Sequence, residues 1–174
     1  MVLEAVALAS VLLIGLLFGV RDYRVSGMSM QPGLADGQNV LVIKVTYLFR
    51  NPERGDVIVF HNPQNSSEDL IKRIIGLPGD TIRTDSTHLW VDNVLLNEKA
   101  YINASSNTPL NPSAQTWHIP PDQYFVLGDN RAVSYDSRYI GPIPKDYIVG
   151  TAYFVFWGHF IDTHSDVFAK IKNP

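Results

Sequence analysis

The chain has 174 residues, 45% hydrophobic and 18% charged, a balance that suits one folded unit of ordinary core size and excludes a disordered or fibrous protein. Its formal net charge is −3 and no run of Lys or Arg occurs, so the basic footprint of a nucleic-acid binder is missing. The absence of cysteine removes disulfides, thiolate metal sites and cysteine nucleophiles together.

Ala5 to Val20 is a continuous apolar run broken by nothing more polar than Ser10, with Glu4 before it and Arg21, Asp22 and Arg24 after it. Counted from Met1 it reaches about the 20 residues that cross a bilayer. No Lys or Arg precedes it, and Phe18-Gly19-Val20-Arg21 is a poor cleavage site, so the reading is an uncleaved transmembrane anchor over 1–21 rather than a leader. A buried core helix is disfavoured because the run lacks a polar face at helical spacing. Taken alone, the positive charges behind the run place the following domain in the cytoplasm. No later segment spans a membrane, Ile148–Phe156 being too short.

From there the chain reads as strands. Asn39–Val45, Asp56–Phe60, Leu70–Ile75, Tyr124–Leu127 and Thr151–Trp157 are short runs rich in β-branched and aromatic residues, each bounded by Gly, Pro, Asn or Asp. With no convincing amphipathic helix among them, the expected fold is mainly β, an antiparallel sheet curled into a partly closed, barrel-like core. Pro78-Gly79 predicts a type II turn, and Leu89–Leu96 a hairpin turning at Asp92-Asn93. Residues 84–122, rich in Asn, Ser, Thr and Pro with a loop over Asn103–Pro112, read as an inserted β subdomain. The catalytic β core is then 22–83 with 123–158, and 159–174 is a polar tail.

Three polar islands fall at turns beside these strands, where a rigid support displays chemistry. In Ser26-Gly27-Met28-Ser29-Met30-Gln31-Pro32, glycine and proline bend the backbone around Ser29; alone, the island reads as a turn with a surface serine rather than an active site. In Ile71-Lys72-Arg73-Ile74-Ile75, strand alternation puts Lys72 on a face with Leu70 and Ile74, and Arg73 on the other with Ile71 and Ile75. Burial among apolar groups lowers a lysine pKa and turns the amine into a base; the alternative is a solvent-facing lysine on an edge strand. The third island, Gly128 to Gly141, crowds Asp129, Arg131, Ser134, Asp136 and Arg138 into one loop. It reads either as a turn held by Asp–Arg pairs or as support for a reaction centre, with Ser134 hydrogen-bonded to the Lys72 amine and Asp129, Asp136 and Arg138 fixing the loop.

In order, S-G-M-S-M-Q-P-G-L, R-G-D-V-I-V-F, I-K-R-I-I-G-L-P-G-D and G-D-N-R-A-V-S-Y-D-S-R-Y-I-G-P-I resemble the sequence boxes of bacterial and organellar type I signal peptidases, from the anchor to about Trp157. The resemblance implies a membrane-bound serine endopeptidase that removes N-terminal signal peptides from exported precursors after small-x-small sites. Ser29 is then the nucleophile, Lys72 the general base and Ser134 the residue that orients the lysine, while Asp129, Arg73, Asp136 and Arg138 form supporting salt bridges. It implies an oxyanion hole at Ser29 and Gly27, no metal and no cofactor, and a single-pass plasma-membrane protein, expected to be a monomer in contact with the lipid bilayer. The catalytic domain then lies on the extracytoplasmic side, against the charge rule. Gly27 stands where many members have a serine whose hydroxyl assists the oxyanion hole, and Gly33 where threonine is usual. Lys72 in place of histidine sets the chain apart from the eukaryotic secretory subtype.

The sequence admits three rivals. A Ser-His-Asp enzyme would use His61, His88, His118, His159 or His164, none of which sits in an island with an orienting carboxylate. A self-cleaving repressor of the Ser-Lys class would need a DNA-binding N-terminus. An inactive, membrane-tethered β module would bind exported peptides without cutting them.

Overall fold

The computed structural model describes Ser10, Leu13 and residues 19–102, 114–155 and 159–160. The expected anchor therefore lies mostly outside the described residues, as do the loop 103–112 and nearly all of the tail. Among the described residues no helix is long and apolar enough to cross a membrane.

The fold is mainly β and antiparallel, as expected. The strands are β1 (Val20–Arg24), β2 (Asn39–Ile43), β3 (Val57–Asn62), β4 (Asn65–Gly76), β5 (Thr81–Thr84), β6 (Leu89–Val91), β7 (Val94–Leu95), β8 (Gln115–His118), β9 (Gln123–Leu127), β10 (Ile143–Pro144), β11 (Ile148–Val155) and β12 (His159–Phe160). Two one-turn helices, α1 (Thr46–Phe49) and α2 (Ser137–Ile140), interrupt them. The larger sheet runs β1-β2-β11-β3-β4-β9-β10 with β12 on β11, and the smaller runs β7-β6-β5-β8. No closed barrel forms among the described residues.

Alternation explains why both faces of the large sheet are covered. On one face Val40 and Val42 of β2 and Val57 and Val59 of β3 pack with Val25, Met30 and Leu34; on the other Ile58, Phe60 and Ile74 pack with Tyr124, Val126 and Ile143. Ile75, Phe125 and Leu127 meet Ile82, Leu89 and Val91, which joins the two sheets in one apolar cluster. The Asp92-Asn93 turn is present, with φ of 49° and 66° at its two residues and Val91 paired to Val94. At Gly79 φ is +90° and Asp80 N–H donates to the Leu77 carbonyl, the predicted turn after Pro78.

Sequence reading missed β1, β5, β8 and the two-residue β10 and β12, the last at the start of the expected polar tail, and drew β4 too short. Val20 and Arg21, assigned to the anchor's end, are instead the first residues of β1, paired with Ile43 and Val42. β4 begins at Asn65 because its polar first half pairs with β3 as an exposed hairpin, a placement fixed by register rather than by burial.

Candidate active site

The segment after β1 is pinned at both ends. Val25 N–H donates to Gln38 O and Gly37 N–H to Val25 O, while Met30 and Leu34 are driven into the core, both at most 1% exposed. Ser29, next to buried Met30, is held half-exposed at the rim, and Asn130 N–H donates to its carbonyl at 2.9 Å. Gly27 has φ of +91°, a conformation that favours glycine, and its N–H donates to Asp36 Oδ1 at 2.7 Å. The Gly27 N–H, one of the two expected to line an oxyanion hole with that of Ser29, is thus engaged with Asp36.

Lys72 is 3% exposed, opposite Ile58 across the β3–β4 pair, with Arg73 opposite Val57 on the other face. Its Nζ lies 2.9 Å from Ser29 Oγ and 2.8 Å from its neighbour's carbonyl, Ile71 O. Burial, the largest influence, lowers its pKa to about 8, while Asp136, Glu68 and Asp129 pull the other way from a distance. Sequence alternation thus anticipated the sheltered amine.

Buried ion pairs surround the two residues. Arg73 grips Asp129 through Nε at 2.9 Å and Nη2 at 2.8 Å, and Arg138 grips Asp136 at 2.8 and 2.9 Å. Asp136 also accepts from Gly128 N–H at 3.0 Å. Ser134 is buried, but its Oγ makes no hydrogen bond, so the expected bond to the Lys72 amine is not formed. The hydroxyl instead sits against Gly128, where a Cβ would overlap Ser134 Oγ and come within 2.5 Å of Ser29 O. No side chain fits at position 128.

Beside the pair runs a groove of about 360 Å³, walled by Tyr23 to Ser29 on one side and Glu68 to Lys72 on the other, with Val40 and Val59 as its floor. The first wall is the end of β1 with the loop that follows it, and the second is an edge of β4. Among the described residues β1 pairs only with β2, and Ile74 bonds Asp56 and Gly55, just before β3, through its N–H and C=O, so by alternation Ile71 and Asp69 turn theirs away toward the groove, the Ile71 carbonyl accepting from Lys72. β9 joins that side of β4 only from Arg73 onward.

Sequence reasoning missed two features. His61 does have a carboxylate partner, Asp69 at 2.6 Å, because the two face each other across the hairpin, but Ser29 Oγ bonds Lys72 instead. Arg131 forms a buried double hydrogen bond with Glu98, which no motif signalled. No group of three potential metal ligands occurs among the described residues.

The Ser29 hydroxyl against the buried Lys72 amine thus stands at one end of a groove bordered by β1 and β4. The family of signal peptidases, peptidase S26, matches residues 1–157, and the chain belongs to it. It is 39% identical over 156 residues to the probable signal peptidase I-2 of Synechocystis, covering 86% of this chain and 69% of that protein. Signal peptidase IB of Staphylococcus aureus strain COL is 38% identical over 166 residues, 88% and 85% of the two chains. Signal peptidase I of Leptolyngbya laminosa is 36% identical over 163 residues, 89% and 78% of the two. The crystal structure of a signal peptidase I from Enterococcus faecalis superposes with a TM-score of 0.47 at 32% identity, covering 57% of this chain and 95% of that one. The protein is an enzyme of the signal peptidase I class and removes signal peptides from precursors that carry them. The binding-only module and the self-cleaving repressor are thereby set aside.

Proposed function

We propose that Ser29 and Lys72 perform this cleavage as a nucleophile and base. The reading rests on the 2.9 Å contact between Ser29 Oγ and a buried Lys72 Nζ whose pKa is lowered to about 8. The substrate lies in the groove as an added strand, hydrogen-bonded to the free edges of β1 and β4, with short side chains over the apolar floor. Neutral Lys72 accepts the Ser29 proton as Oγ attacks the scissile carbonyl, and Ser29 N–H holds the oxyanion. The C–N bond breaks and the leaving amine takes the proton from Lys72; the Lys72 amine then draws a proton from water as that water attacks the ester, and returns it to Ser29 Oγ as the acyl–Oγ bond breaks. Arg73, Asp129, Asp136 and Arg138 keep the surrounding backbone in place. A purified-enzyme assay on a leader-bearing precursor tests the specificity: an Ala-x-Ala site is cut, and Phe at either alanine position suppresses the cut by roughly a hundredfold or more, since ~2–3 kcal/mol of clash is a large factor. Equal cutting of both precursors would sink the small-residue reading.

The larger sheet, on the same proposal, is rolled toward a partial barrel, a curl supported by the groove's use of residues from β1, β2, β3 and β4 together. One catalytic unit from 22–83 and 123–158, joined at its start by Val20 and Arg21 of β1 and with the chain between its two parts inserted, works as a monomer anchored by the apolar run before β1, the catalytic unit facing out of the cytoplasm. Protease added to intact spheroplasts should degrade the catalytic unit; protection until the membrane is opened would return the topology to the charge rule.

A further inference from the structure

Glu98 lies on the segment that leaves β7, far in sequence from the three islands, yet it is buried with its carboxylate fully engaged. Arg131 reaches it through Nη1 at 2.6 Å and Nη2 at 2.5 Å, and Tyr101 Oη donates to Glu98 Oε1 at 2.7 Å. Two routes run from this cluster toward Ser29 and Lys72. On the first, Arg131 Nε donates to Gly128 O at 3.0 Å, and the same loop supplies Asn130 N–H to Ser29 O. On the second, the Arg73 guanidinium stacks on the Tyr101 ring at 4.7 Å and carries its paired grip on Asp129 to the residue next to Lys72. Burial first, and Glu98 second, push the Tyr101 phenol well above its ordinary pKa, so it remains a donor.

We infer that Glu98 and Tyr101 are positioning residues for the cleavage reaction, holding the Ser29 carbonyl through Arg131 and the Lys72 strand through Arg73. The inference rests on the Ser29–Lys72 reading above. It gives the segment after the small hairpin a kinetic role: the second sheet's core, to which Leu96 and Tyr101 belong, braces the reacting pair from behind.

The test is steady-state kinetics on a leader-bearing precursor with Glu98→Gln, which keeps the shape but weakens the grip on Arg131. The expected result is a fall in kcat of about tenfold or more with KM within about twofold, the pattern of a reacting group moved out of place while substrate binding stays intact. A lowered melting midpoint with undiminished kcat in the folded enzyme would make Glu98 merely structural and overturn the inference, and so would a raised KM at unchanged kcat. Should Glu98→Gln fail to fold, Tyr101 carries the test: Tyr101→Phe keeps the ring under Arg73 and most of kcat, Tyr101→Leu loses about tenfold, and equal kcat in the two overturns it. Ser29→Ala assayed in parallel separates the two readings. Turnover retained there rejects the dyad itself, whereas an inactive Ser29→Ala beside a fully active Glu98→Gln rejects only the positioning role.

Discussion

Ser29→Ala is expected to lower precursor cleavage by roughly a thousandfold or more, since the proposed mechanism has no other attacking atom. The fold should survive. Ser29 is only half-buried, its one side-chain bond is to Lys72, and its backbone role, accepting from Asn130 N–H, is untouched by the change. Thermal stability should therefore shift by no more than about 0.5 kcal/mol, the range of substitutions away from cores and caps. Turnover measured on a leader-bearing precursor, beside a melting curve, decides it: substantial residual cleavage in a folded variant would remove Ser29 from the reaction.

Lys72 separates activity from stability. Its pKa of about 8 in the free enzyme predicts a kcat/KM that rises with pH through one ionisation near that value, so that at pH 7 only about a tenth of the plateau is reached. Lys72→Arg should be as damaging as Lys72→Ala, because a guanidinium cannot give up its charge to accept the serine proton. The stability sign follows from proton uptake. Between pH about 8 and 10.5 the unfolded chain holds the Lys72 proton and the folded protein does not, so stability from this group rises with pH across that window. Below it, the full cost of burying a charged amine remains, on the order of 3 kcal/mol for a shift of this size. Lys72→Met should then be inactive yet more stable at neutral pH, its advantage over the parent shrinking as pH rises toward 10.5. Melting curves at a series of pH values check this. An advantage that does not change with pH, or arginine retaining turnover, would show that Lys72 is an ordinary lysine.

Strands whose apolar alternation is dense, such as β2, β3 and β9, were legible in the sequence, and so was the Asp92-Asn93 turn, because their physics is local. β1 was not. Val20-Arg21-Asp22-Tyr23-Arg24 is mostly charged, adjoins a long apolar run and becomes a strand only by pairing with β2. β5 and β8 were lost for a related reason, burying little more than Ile82 and Trp117 between polar neighbours. At the site, Lys72 could be placed on a sheltered face from its own strand, but its contact with Ser29 spans 43 positions and came only from the order of the boxes. Glu98 and Tyr101 had no box and no periodicity, so nothing local distinguished them from surface residues. Ser134 shows the opposite failure, a residue singled out from its loop whose expected bond to the Lys72 amine is not formed.

The crowding at Gly128 ties together two stretches of chain that lie about a hundred positions apart. With Ser29 O and Ser134 Oγ both where a methyl group would sit, the serine loop and the Gly128–Gly141 loop touch backbone to backbone, without adjustable side chains to absorb a mismatch. Neither loop can be transplanted into another scaffold alone, and a shift in one has to be matched by the other. Length variation is tolerable elsewhere, at the exposed Pro63–Asn65 turn of the β3–β4 hairpin, where no such crowding is at stake. A designer altering this enzyme would do best to treat the two loops as a single part.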